Sequence, residues 1–139
     1  MNKRFWGAFA AVYVFGQLFG FIVHGVLLAP TYKALASVFR PDAEMNSMMW
    51  LMFLSSGIAI FAFCYIFTKG YEGKGVMEGV RYGLWVGLLV GIPAALDQYW
   101  VYPIPGSLAG DWLVANVAYF VVAGALLSAI YRPDGAAKT

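Results

Sequence analysis

The chain has one cysteine, one histidine and seven acidic residues among 139. A single Cys64 excludes an intrachain disulfide, a paired-cysteine metal site and a two-cysteine redox couple; it reads as a small apolar packing residue. A single His24 excludes haem held by two histidines of one chain. No nucleophile elbow, phosphate loop or zinc-protease signature occurs, so no catalytic residue is assigned and nothing identifies a cofactor. Charged residues are 12% of the chain, against about 25% in soluble domains. The net charge is only +2, with Lys and Arg in the connections rather than in a basic stripe, so nucleic acid is not an expected partner.

Long apolar runs fill the space that charge leaves. They cover residues 5–29, 48–68, 76–100 and 109–131, and hydrophobic residues make up 62% of the chain. Each run matches the roughly 20 residues that an α-helix needs to cross a bilayer. The first is too long for a signal-peptide core and carries bulky aromatics. The expectation is an all-α, integral membrane four-helix bundle, a single membrane domain over residues 1–139, with the lipid bilayer as its first partner.

Basic residues orient it. Lys3, Arg4, Lys69, Lys74, Arg81, Arg132 and Lys138 fall on one side, and only Lys33 and Arg40 on the other. The positive-inside rule then puts both termini in the cytoplasm, with a bacterial inner membrane as the expected location. Trp and Tyr near the run ends read as interfacial belts. Tyr99, Trp100, Tyr102 and Trp112 form a second candidate, the wall of an outer ligand pocket.

The connections carry local signals. Residues 31–39 predict a short surface helix, and Pro41 with Asp42 and Glu44 suits a first helical turn leading into the second span. Residues 70–75 read as a glycine-rich turn, with Glu78 and Arg81 placed to pair at the rim. Ser107 is the expected N-cap of the fourth span. The tail beyond Tyr131 is expected to fray.

Glycine spacing speaks to packing. Gly79, Gly83, Gly87 and Gly91 recur at steps of four, and Gly16 and Gly20 repeat the step in the first run. Such ridges let helices approach closely, which makes the third span central in the bundle or the contact of a dimer. Pro93 extends that face and predicts a kink. A homo-oligomer or a place in a larger membrane complex follows as an expectation.

Polar residues inside the runs fall at one level. At 1.5 Å per residue, His24 and Asp97 lie roughly 9 Å inside the expected outer ends of their spans. Asn116, Ser55 and Ser56 come to about the same depth, roughly 9–12 Å, with Gln98 and Tyr99 just above and Gln17 nearer the middle. An ionised Asp97 in hydrocarbon costs several kcal/mol, and His24 is the expected partner. The alternative is that Asp97 reaches the headgroups and His24 satisfies oxygens between helices.

Met45, Met48, Met49 and Met52 lie at i, i+3, i+4 and i+7. Thioethers favour Cu(I), so a copper site is conceivable there, while ordinary packing is the stronger reading and no metal is assigned.

Three functions follow as expectations. The first is a non-catalytic ligand-binding or accessory subunit with a polar pocket in the outer-leaflet half, whose ligand would be a lipid or small apolar molecule. The second is a small proton-linked transporter or channel working as a homo-oligomer. The third is a lipid- or isoprenoid-modifying membrane enzyme using His24 or Asp97 as acid–base.

Overall fold

The structure is a computed structural model and describes residues 2–131. The tail 132–139, with Arg132, Lys138 and the expected fraying, lies outside the described residues. Among the described residues all regular structure is helical: α1 Lys3–Gly20, a π-helical continuation Phe21–Leu27, α2 Ala29–Ala34, α3 Asp42–Ser47, α4 Met49–Lys69, α5 Val76–Val101 and α6 Gly106–Ile130. Four helical stretches are long and apolar enough to cross a membrane, namely Lys3–Leu27, Met49–Lys69, Val76–Val101 and Gly106–Ile130. Successive spans reverse direction, so the start of α1 and the end of α6 meet at one end of the bundle, the terminus end. The other is the loop end.

The termini of these helices follow local chemistry. Asn2 caps α1, its side-chain oxygen accepting the Phe5 N–H at 2.9 Å. Acidic Asp42 and Glu44 sit in the first turn of α3, where the helix dipole favours them. The surface helix ends at Ala34, short of the expected residue 39, because Leu35 leaves the helical region at φ −107°, ψ 24°. The fourth span opens on extended Pro105 and begins at Gly106, so Ser107 lies inside the first turn and is not the cap. Pro93 stands inside α5, which continues through it to Val101.

The glycine ridge is consumed within the chain. A Cβ on Gly79 would fall on the carbonyl of Gly124 and lie 2.6 Å from the Ser128 Cβ. One on Gly83 would strike the Phe120 carbonyl group, and Gly87 and Gly91 meet Val117 and Asn116 at 3.0 Å. Backbone therefore packs on backbone along most of α5 and α6, as small-residue seams allow. The third span is accordingly bound to the fourth, and the glycine ridge is not free to form a dimer contact. Gly16 is also filled, by the Tyr119 ring and Ile60, whereas nothing approaches Gly20, which has no packing role here.

Helix α6 packs against both α5 and α1, and α1 packs against α4. The main core lies at the terminus end: Phe5, Ala8, Val12, Ile60, Phe63, Cys64, Phe67, Ala123, Leu127 and Tyr131 are all buried. Phe63 and Phe67 lie against the Tyr82 ring at 4.8 and 5.3 Å, and Phe63 against Phe120 at 5.3 Å, so aromatics join α4 to the hairpin of α5 and α6. Tyr82 Oη donates to the Phe63 carbonyl at 2.7 Å. Cys64 is fully buried in this core, in keeping with its reading as a packing residue.

The 70–75 turn is pinned from inside. Glu78 is 9% exposed, and its carboxylate accepts the N–H groups of Glu72 and Lys74 at 2.6 and 2.7 Å. Ser128 donates to the Gly75 carbonyl at 2.8 Å. Gly73 and Gly75 adopt φ +76°, which the turn requires and other residues resist. The expected Glu78–Arg81 pair is not formed. Glu78 turns back to hold the backbone of the turn that precedes its own helix, and Lys74 pairs with Glu72 instead. That exposed pair holds the Glu72 carboxyl below its usual range.

Candidate functional site

At the loop end a second, smaller core forms around Leu28, Ile104 and Leu108, with Val23, Tyr32, Leu35, Val38, Phe39 and Trp112 packed against it. The first connection folds over the start of α6. The third connection contributes Ile104, anchored by apolar burial.

His24 sits at this level, inside the π-helical segment. There the Leu28 N–H bonds to the carbonyl of Val23, five residues back, at 2.8 Å. A π-turn re-aims the side chains that follow it, and such turns recur at functional positions. His24 Nδ1 lies 2.6 Å from Tyr32 Oη, and the two rings stack with centroids 6.0 Å apart. Trp112 Nε1–H donates to the same hydroxyl at 2.8 Å. An indole N–H can only donate, so Tyr32 accepts from Trp112 and has its own proton free for His24. When Tyr32 donates that proton, neutral His24 accepts at Nδ1 and carries its hydrogen on Nε2. Burial raises the Tyr32 phenol above its ordinary 10.0; the Trp112 bond opposes this and the Asp111 charge adds to it. Phe39 lies edge-on to Tyr32 at 5.4 Å and closes the cluster.

The expected His24–Asp97 pair is absent. Among the described residues the ion pairs are Arg40–Glu44 and Lys74–Glu72. Helix geometry explains it. Ala95, 1% exposed, continues the inward glycine ridge, and Asp97 lies two residues on, roughly 200° around the helix. Asp97 therefore faces away from α6. Asp97, Gln98 and Tyr99 are all exposed at the end of α5, with no side-chain hydrogen bond among the described residues. Exposure within a span means contact with whatever surrounds the bundle, lipid or another chain.

The other polar residues also go to separate places. Asn116 Nδ2 donates to the Trp112 carbonyl at 3.2 Å, and its Cβ fills the space over Gly91, so it belongs to the seam of α5 and α6. Ser56 accepts from Gln17 Nε2 at 3.0 Å and joins α4 to α1, beside Tyr13 Oη donating to the Phe53 carbonyl at 3.3 Å. Ser55 is exposed and bonds the Met52 carbonyl of its own helix at 3.2 Å. The single polar layer read from depth is thus four separate placements and an uncovered end of α5 at Asp97, Gln98 and Tyr99.

Met45, Met49 and Met52 are exposed, and the turn at Met48 divides their stripe between α3 and α4. His24, the imidazole a copper site would have drawn on, is engaged with Tyr32. Of the proposed aromatic wall only Trp112 joins a cluster. Trp100 is 87% exposed, and Tyr99 and Tyr102 are exposed beside it. An open groove of about 420 Å³ lies elsewhere, between α1 and α4, lined by Phe9, Tyr13, Phe53, Gly57, Ile58 and Phe61.

Sequence reasoning missed Tyr32 and Trp112 as partners of His24. Residue type and position make Tyr32 an interfacial aromatic and Trp112 an interfacial aromatic or part of a pocket wall. The usable signal was the expected surface helix, observed as Ala29–Ala34, which begins a few residues after His24 and returns Tyr32 to it. Nothing in the residue types announces the π-turn. No protein-family model, curated protein or solved structure matches this chain.

Proposed function

We propose that this is a non-catalytic accessory membrane protein that works by assembly, with the terminus end as a rigid frame and the loop end as the surface that another polypeptide completes. The single observation that carries this reading is the uncovered Asp97. Its carboxylate stands on a span with no partner among the described residues, and a carboxylate left to hydrocarbon costs several kcal/mol. The imidazole of His24 likewise keeps one nitrogen unused on the outside of the bundle. Lys and Arg placement supports termini in the cytoplasm and a loop end facing outward. The transporter reading, in which His24 and Asp97 line a wet cavity built by a homo-oligomer, and the enzyme reading, with His24 or Asp97 as acid–base, are the alternatives.

A second reading rests on the groove between α1 and α4. Its apolar lining and Tyr13 hydroxyl suit the tail and first polar group of a lipid or isoprenoid ligand, which makes ligand binding compatible with the accessory role.

Native mass spectrometry of the purified protein in mild detergent, with chemical crosslinking in the membrane, tests the assembly. The expected result is a complex heavier than one 15.2 kDa chain. A chain that stays single by both methods overturns the reading. Lipid that stays bound to the native protein and is lost in Ile58→Trp supports the second one.

A further inference from the structure

We propose that the completing polypeptide is a second copy of this chain, and that His24 of each copy donates a hydrogen bond to Asp97 of the other. This rests on the accessory reading and names its partner.

In the tautomer that accepts at Nδ1, His24 presents an Nε2–H donor. Trp112 is an obligate donor, so Tyr32 accepts from it and donates to Nδ1. Nε2–H is left as an outward donor with no partner among the described residues. A carboxylate is an acceptor, and Asp97 has no donor among the described residues. The two groups are chemically complementary and are offered by the same chain.

Their levels match. Lys3–Leu27 and Val76–Val101 both run toward the loop end. His24 is three residues before the end of the first, and Asp97 is four before the end of the third. They cannot meet within one chain, because α6 stands between α1 and α5 and Asp97 is turned away from it. A two-fold axis resolves this, since in an isologous contact residue i meets j while j meets i. The dimer forms the pair twice and leaves neither the imidazole nor the carboxylate to lipid. A different protein would have to bring both an acceptor for His24 and a donor for Asp97 at one depth.

The resulting run is Trp112 to Tyr32 to His24 to the partner's Asp97, each step an N–H or O–H pointing the same way. Such aligned bonds reinforce one another where water is scarce.

Crosslinking tests the geometry. Two tagged forms of the full chain, one carrying His24→Cys and one Asp97→Cys, are co-expressed and oxidised in the membrane. The expected product is a mixed disulfide dimer at about twice the 15.2 kDa chain mass. Leu89→Cys, on the exposed face of α5 but deeper, should give none with His24→Cys. Native mass spectrometry then compares dimer dissociation. Asp97→Ala, which removes nothing from the chain's own core, should weaken the dimer about tenfold or more, with Asp97→Asn in between. A dimer indifferent to Asp97→Ala, or one without the mixed disulfide, overturns the proposal. A complex with a different polypeptide that needs Asp97 also overturns it, while leaving the accessory reading in place. A chain that is single in every membrane removes both.

Discussion

At the terminus end Phe5, Phe63, Phe67 and Tyr131 are buried and Glu78 and Ser128 tie down the turn, while at the loop end Trp100 stands 87% exposed and only three residues are buried in a core of their own. The difference lies in how the halves cohere. The first is joined by aromatic packing and by backbone contact through the Gly79 and Gly83 end of the seam, which needs no polar group. The second is joined by a few directed bonds, Trp112 to Tyr32 to His24 among them, and leaves polar atoms on its outside. In lipid, burying apolar surface adds little, so close packing and interhelical hydrogen bonds decide stability. A half with less close packing depends more on each bond, and it is also the half that can accept a partner.

The largest effect that would break this contrast comes from the glycine seam. Gly83→Leu forces a side chain into the Phe120 carbonyl and should cost about 3 kcal/mol, read as loss of folded protein in a detergent unfolding titration. Gly20→Ala, where nothing lies within reach, should be neutral or stabilising by about 0.5 kcal/mol. Equal costs at the two sites would remove the distinction between the halves.

A smaller effect sharpens it at the loop end. Tyr32→Phe removes the hydroxyl that serves both His24 and Trp112, and should cost about 1 kcal/mol in the same titration. A double-mutant cycle with Trp112→Phe should return a non-zero coupling energy, because the two side chains share a hydrogen bond. In the native chain the raised Tyr32 phenol makes its contribution fully present below its ordinary value of 10.0, and lost as pH climbs through the higher folded value. Stability should therefore decline on the alkaline side in the native protein and less so in Tyr32→Phe. Identical alkaline limbs would assign the decline to other groups.

Gln17→Leu is the mildest test. It removes the bond to Ser56 that joins α1 to α4 near mid-span, worth about 0.6 kcal/mol by the average of such bonds in membranes. A cost several times larger would mean that α4 is held at mid-span by polar contact rather than by the aromatic core below it.

Much of this was legible from residue order. Four runs of apolar residues became four long helices because the backbone satisfies itself only that way in hydrocarbon. The step-of-four glycines located an inward face, though whether a neighbour in the chain or a second copy would fill it was not written there. The same ridge, carried one step to Ala95, places Asp97 on the opposite face. Depth along the helix was read from the sequence while angle around it was not, and depth alone joined Asp97 wrongly to His24. Ser107 failed as a cap because the extended Pro105 starts the helix sooner. The Glu78–Arg81 spacing allowed a pair, and the buried backbone of the adjoining turn outcompeted it, since unmet N–H groups cost more than an exposed ion pair returns.

By itself the sequence determined the helices, their number and their apolar character, because hydropathy and length are properties of a segment and need no neighbour. Which helix lies beside which, that α6 separates α1 from α5, and that Tyr32 rather than Asp97 meets His24 were decided by the tertiary structure alone. Those outcomes depend on rotation about the helix axis and on a π-turn, and both are set by packing between segments far apart in the chain.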